Sequence, residues 1–514
     1  MEPPPRAVSR RAAFPAVFTL LCVVALLPLG ASRILPLSDE PNHLSVVYIL
    51  HNIGDPGARL RDLYDVSIPA VPYVGYYLLV HLVAFVVGVE LAHKAVLAAY
   101  VLSLPLAALW WTRRTGREPW LSILAFPLAY SFSWSIGFHP FNVGLSLFLL
   151  GSAAIDAFLE RPSARMGALV AALALASDFG HPLAIVALYA SIPVLVLAHR
   201  PPLRRLGVLA LLVAPGALVF TWQVLIPKIA WSMPRPGTKS GFLGTWVGTG
   251  EMLKSFPQYA LDSVSGPVDM WAFGALAATL LLLLIVGVVG RERGAPRARL
   301  GELVLRHRAS LLALTMLALY LVVPMHLQRP HNWWFVSGRY APLVCFFAFL
   351  VPRVELRGRR MLALAPALAA ALILPLHIAS KYATFGEHVR PFVRMVARAE
   401  RGSEVLFLRM GPRTDSTVNV PMWNHFGAWV QILHGGFSSA GWFDAPTIVR
   451  AKKRLPSPPY NQHERYDHRL HSGPYRYIIV FREAHQLYPA NSSDFRVIDR
   501  EGEWTMYARV EQTP

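Results

Sequence analysis

Residues 38–44 read SDEPNHL, placing two adjacent carboxylates, Asp39 and Glu40, and the imidazole of His43 directly after the first long apolar run. Carboxylates accept protons and cations, and imidazole does proton transfer or ligates metals. An acid pair is costly in hydrocarbon and cheap in water, so the position marks a water boundary whether or not it reacts. Residues of the same kind recur at the ends of later apolar runs. GFHPFN (137–142) supplies His139 and Asn142, and SDFGHP (177–182) supplies Asp178 and His181. MPRPGTKSGF (233–242) carries Arg235 and Lys239, and HLQRPHNWWFVSGRY (326–340) carries His326, Arg329, His331, Arg339 and Tyr340.

The elements that must position these residues are membrane spans. Of 514 residues, 54% are apolar and only 15% charged. Runs of near-spanning length fall at about 12–35, 70–92, 94–111, 119–137, 140–158, 166–180, 182–199, 206–228, 270–290, 309–326, 339–352 and 361–379. If all of them cross from a cytoplasmic N-terminus, the arginine-rich loops 112–118, 160–165, 199–205 and 291–308 fall outside, against the positive-inside rule. Letting 70–92 lie on or dip into the outer face returns all of them, with 352–360, to the cytoplasm. The stretch 68–94 around that segment carries Pro69, Pro72, three tyrosines, His81, Glu90 and His93, which suit an interfacial element. The expected architecture is therefore an α-helical polytopic membrane protein of about eleven spans plus one outer-face juxtamembrane segment. Its consequence is that every chemistry-bearing loop above shares the outer face.

The remaining chain, 380–514, reads as a small extracytoplasmic α/β domain following a transmembrane domain, 1–379. Strand-like runs at 403–410, 475–483, 495–500 and 504–510 alternate with helical stretches near 387–400 and 423–434. The net charge of +19 lies in short clusters between apolar runs, which is a topology signal and argues against a nucleic-acid partner. No Gly-rich phosphate loop or nucleotide fingerprint appears, which argues against an ATP-driven pump. Cys22 and Cys345 sit inside apolar runs and offer neither a disulfide framework nor a thiolate metal site. The basic N-terminus precedes an apolar run too long for a cleaved leader and reads as an uncleaved first span. Arginine far outnumbers lysine, which fits a GC-rich bacterial genome and a bacterial cytoplasmic membrane.

In this order of elements the chain resembles the GT-C glycosyltransferases, and is most similar to the protein O-mannosyltransferase and lipid A aminoarabinose transferase group. The residues that carry the likeness are Asp39–Glu40, IPAVPYVGYYLLV (68–80) and SGRYAP (337–342). The resemblance implies transfer of a sugar from a polyprenyl-phosphate-linked donor to a cell-envelope acceptor at the extracytoplasmic face. It implies Asp39 as the general base that deprotonates an acceptor hydroxyl, or as the group that orients it, with Glu40 beside it helping to position acceptor or cation. It also implies a fixed cation for the lipid phosphate, with Arg339 first and Arg329, Arg235 and Lys239 behind it. His43, Tyr340, His139 and Asn142 are the remaining candidates for substrate binding. The sequence departs from the group in GFHPFN, where a second acid is expected and His139 and Asn142 stand.

That departure leaves a divalent metal open. His43, His139, Asp178, His181, His326 and His331 would suit zinc or manganese and a metal-dependent hydrolase or phosphotransferase acting on a lipid-linked substrate. A third reading is a non-enzymatic carrier or scaffold for lipid-linked glycans, with PHNWWF (330–335) stacking on sugar rings.

Overall fold

The computed structural model describes residues 6–67, 73–222, 243–289, 300–329, 332–414, 417–439, 441, 448–453, 455–459, 461–483 and 485–510. Arg235, Lys239 and His331 lie outside the described residues. Seven helices among these are long and apolar enough to cross a membrane: Ala13–Ala31, Val89–Arg114, His139–Glu160, Pro182–His199, Leu203–Phe220, Val268–Val288 and Gly358–Arg398. Two shorter apolar helices are Val74–Val87 and Arg308–Val322. Leu203–Phe220 and Val268–Val288 are only 17% and 22% buried by protein. Apolar faces left that open belong against lipid, and the chain is a multi-pass membrane protein.

Helix ends follow local chemistry. Ser163 caps the helix Ala164–Gly180 by accepting the Met166 N–H at 3.2 Å. His181 caps Pro182–His199, its Nδ1 accepting the Leu183 N–H at 3.1 Å. The apolar run 119–137 departs from the expected single span. It forms 3-10 turns at Pro119–Ala125 and Pro127–Tyr130, then a short helix Phe132–Ile136. Pro119 and Pro127 each remove a backbone donor, and each opens one of these 3-10 turns within what otherwise reads as a single apolar run. In the same way 339–352 yields a helix of just 9 residues, Ala341–Phe349, after a 3-10 turn.

The chain divides into two compact units. One comprises Met1–Gly30, Leu97–Trp134 and Pro140–Ala379. Its helices enclose a buried charge, Asp156, which holds Arg308 Nε at 2.9 Å, Arg114 Nη2 at 3.0 Å and His199 Nε2 at 2.8 Å. The other comprises Ala31–Val96, Ser135–His139 and Ser380–Pro514. It contains a five-stranded sheet in the order Phe437–Ser438, Glu404–Arg409, Tyr477–Phe481, Trp504–Arg509, Phe495–Glu501. The first three strands are parallel and the last two close an antiparallel hairpin. Tyr477–Phe481 is buried on both faces, as an apolar central strand requires. Trp423, Phe426, Phe481 and Trp504 pack with ring centroids 4.2–6.0 Å apart between this sheet and the last long helix, Ala365–Arg398. A short pairing of Tyr64–Val66 with Val449–Ala451 ties the early segment of this unit to its C-terminal part.

Candidate functional site

The acidic motif sits at the start of the helix Glu40–Asn52, with Asp39 at its N-cap and Pro41 in its first turn. Pro41 suits that turn because its missing N–H has no intrahelical partner to lose. The Asp39 carboxylate does not cap its own helix. What fixes it is backbone: Asp39 N donates to Ile136 O at 2.7 Å, and Ser38 N to Ser135 O at 3.3 Å. Ser38 Oγ also donates to Pro421 O at 3.2 Å. The segment 135–139 thus lies directly against the acids. At its centre Gly137 adopts φ +85°, and a Cβ there would meet Glu40 N at 2.9 Å and Asp39 N at 3.3 Å. Glycine is required twice over, for its conformation and for its closeness.

Neighbouring positions on a helix point about 100° apart, and the two acids accordingly face different surroundings. Asp39 Oδ1 lies 3.9 Å from His425 Nε2, with the side chain 13% exposed. Glu40 is 1% exposed and lies between two imidazoles, its Oε1 3.5 Å from His93 Nε2 and its Oε2 3.8 Å from His139 Nε2. Tyrosines orient the rings around it. Tyr77 hydroxyl and His43 Nδ1 are 2.8 Å apart, as are Tyr76 hydroxyl and His93 Nδ1. The Tyr76 ring stacks on His139 at 5.7 Å, and His93 and His139 are 4.9 Å apart by centroid.

The first unit holds the remaining predicted residues. Arg339 is buried, with Nη2 donating to Trp334 O at 3.0 Å, its guanidinium 5.5 Å above the Phe141 ring, and Nη1 3.3 Å from His181 Nε2. Because His181 Nδ1 accepts the Leu183 N–H, the neutral ring carries its proton on Nε2, so two donors face one another there. Tyr340 hydroxyl donates to Leu183 O at 3.2 Å, and Asn142 Nδ2 to Ser133 O at 3.5 Å. Arg329 lies on the strand His326–Arg329, paired with Leu243–Thr245. Trp334 stacks on His326 at 3.7 Å between centroids, so the tryptophan-rich stretch is engaged by its own hairpin.

Of the histidines read as one metal set, His139 gathers with Glu40 and His93 in the second unit, and Asp178, His181 and His326 lie in the first. His93, Gly137, Tyr76, Tyr77 and His425 were not legible as site residues. His93 opens a span in a stretch that reads as interfacial, and the only available signal for Gly137 was a glycine two residues before His139.

No family model matches this sequence, and no curated protein matches it. The solved structures that match in fold include two of one protein. The crystal structure of ArnT from Cupriavidus metallidurans bound to undecaprenyl phosphate is 12% identical with a TM-score of 0.53, covering 96% of this chain and 98% of that one. The same protein in the apo state is 10% identical with a TM-score of 0.54, covering 97% and 98%. The likeness read from the sequence to the aminoarabinose transferase group of GT-C enzymes is thus met at the level of the fold, over nearly the whole chain.

Proposed function

We propose that the protein is a membrane glycosyltransferase that moves a sugar from a polyprenyl-phosphate carrier to an acceptor hydroxyl at the extracytoplasmic face of a bacterial cytoplasmic membrane. The observation that carries this reading is Asp39, a partly accessible carboxylate clamped through its backbone at the end of the first span, in a chain with the fold of a protein that binds undecaprenyl phosphate. Asp39 accepts the acceptor's proton while the acceptor oxygen bonds to the anomeric carbon. The bond from that carbon to the phosphate oxygen breaks, and its electron pair leaves with the polyprenyl phosphate.

The leaving charge needs fixed donors, and Arg339 is proposed to supply them, with Arg329, Arg235 and Lys239 as further cations. Support for Arg339 comes from its facing His181: two N–H donors 3.3 Å apart are relieved when one anionic oxygen beside them accepts from both. We further propose about eleven spans, a cytoplasmic N-terminus and an outer-face domain at 380–514. Val74–Val87 is proposed as the juxtamembrane element, because its buried Tyr76 and Tyr77 turn to His93 and His43 at 2.8 Å, polar contacts that suit an interfacial segment.

The test is Asp39→Asn, assayed in proteoliposomes with polyprenyl-phosphate sugars and read as release of polyprenyl phosphate with a new glycosidic bond. Loss of a proton acceptor predicts a fall of about 10²- to 10⁴-fold in kcat with an unchanged melting temperature. Unchanged turnover removes Asp39 as the base.

A further inference from the structure

We propose that Glu40, His93 and His139 bind one divalent transition-metal ion, zinc in the first instance. The inference stands whether or not the transferase reading does, because it rests on the geometry of this cluster alone.

Distance is the first argument. The two Glu40 oxygens lie 3.5 Å and 3.8 Å from His93 Nε2 and His139 Nε2. Both exceed the span of about 2.7–3.2 Å for an N–H···O bond. They fit two ligands of one ion, because bonds of about 2.0–2.2 Å to a tetrahedral zinc set neighbouring ligand atoms about 3.4 Å apart. One ligand atom from each of the three residues lies within 4.8 Å of the other two, the one such group among the described residues.

Unmet valence is the second. Among the described residues, Glu40 Oε2, His93 Nε2 and both ring nitrogens of His139 are buried without a hydrogen-bond partner. Buried polar atoms are seldom left so, and three of them, one from each residue, gathered within 4.8 Å of one another call for a common partner. When His93 Nδ1 donates to Tyr76 hydroxyl, its Nε2 presents a lone pair to a carboxylate that also offers only lone pairs. A cation between them resolves that opposition. Tyr76 then plays the part usual for the outer partner of a ligating histidine, fixing tautomer and ring plane.

Ligand chemistry selects the class of ion. Two imidazoles and one carboxylate suit zinc, cobalt or manganese, whereas magnesium and calcium prefer all-oxygen sites. Three protein ligands also leave a coordination position open, as sites that bind water or substrate do.

The experiment uses the full chain purified in detergent, stripped with chelator, dialysed against zinc and analysed by mass spectrometry, with cobalt absorption as a geometric probe. Wild-type protein is expected to retain about one zinc per chain and to melt at a higher temperature with zinc than without. Glu40→Gln and His139→Ala are expected to retain less than about a tenth of that zinc and to lose the thermal shift. Glu40→Gln keeps the side chain's shape and decides the matter where His139→Ala does not fold. The control is His51→Ala, which removes the partly exposed pair His51–His81, 3.3 Å apart at Nδ1, and is expected to leave the zinc in place. Folded wild-type protein without stoichiometric zinc overturns the proposal. So does full retention in Glu40→Gln, or loss of the ion in His51→Ala.

Discussion

Gly137→Ala tests whether the acids are positioned by the chain that crosses them. Two costs can be separated. An alanine held at φ +85° is strained by about 1–2 kcal/mol, the usual penalty for a Cβ in left-handed backbone. The new methyl would also stand 2.9 Å from Glu40 N, where ordinary contact begins at 3.4 Å. The difference, 3.4 − 2.9 = 0.5 Å, must come from movement of backbone, since no flexible side-chain end is there to yield. Catalytic groups are sensitive on that scale, and a misplacement of about 1 Å costs roughly 10²-fold. The expected loss in kcat/KM for sugar transfer is therefore about 10- to 100-fold, with the protein still folded and membrane-inserted. Gly116→Ala is the matched control, since it has φ +60° but open space within 4 Å of its Cβ. It carries the same conformational strain without pressing on the acids, so a similar drop in melting temperature with intact transfer is expected. Transfer by Gly137→Ala within a factor of about two of wild type would refute the positioning argument, because a 10-fold loss corresponds to only about 1.4 kcal/mol.

Two further outcomes concern stability. Asp156→Asn removes the charge that Arg114, Arg308 and His199 surround, and leaving buried cations uncompensated should cost about 3–5 kcal/mol, seen as a large fall in the melting temperature in detergent. An acid-dependent loss is expected from His463, whose imidazole is pushed down to about 3 by burial, with Arg409 and His425 adding to the effect. Its Nδ1 accepts the Arg409 N–H at 2.9 Å, a bond that protonation at this nitrogen would destroy. The folded pKa lies below the unfolded value near 6.5, so the unfolded chain binds the extra proton between those limits. Stability from this group is complete above pH 6.5 and declines as pH falls toward 3, by up to about 1.4 kcal/mol per pH unit. Unfolding measured between pH 7 and 4.5 should show a shallower slope in His463→Gln, and identical slopes would contradict the assignment.

How far the sequence disclosed this architecture depends on the kind of signal. The strands Glu404–Arg409, Tyr477–Phe481 and Trp504–Arg509 fall within a residue or two of the runs read from sequence, because mostly buried strands write their hydrophobicity continuously into the chain, and the edge strand Phe495–Glu501, exposed over most of its length, falls as close. The helices His139–Glu160 and Pro182–His199 are equally plain. The stretch 119–137 is not, since buried 3-10 turns and a buried span share one composition and only Pro119 and Pro127 distinguish them. At the site, Asp39 and Glu40 are visible as a break in hydrophobicity. The partners of Glu40 are not, because His93 and His139 lie 53 and 99 positions away (93 − 40 and 139 − 40) and reach it only through tertiary folding.

Adjacency in sequence suggests a shared task for Asp39 and Glu40, and the structure separates them. The 100° step between successive helical positions turns Glu40 inward, where it is 1% exposed between two imidazoles, and leaves Asp39 13% exposed on the side of His425. A group that exchanges a proton with an incoming acceptor has to be reached, whereas a group that ligates an ion has to be dry and fixed. The same segment that presses on both backbones, 135–139, ends in His139, so the clamp on Asp39 and one ligand of the Glu40 cluster are a single piece of chain. Mechanical position and local charge are therefore coupled at this point. Loading the cluster with zinc should make the backbone amides of Asp39 and Glu40 exchange hydrogen more slowly, and equal exchange with and without the ion would show that the two functions are independent.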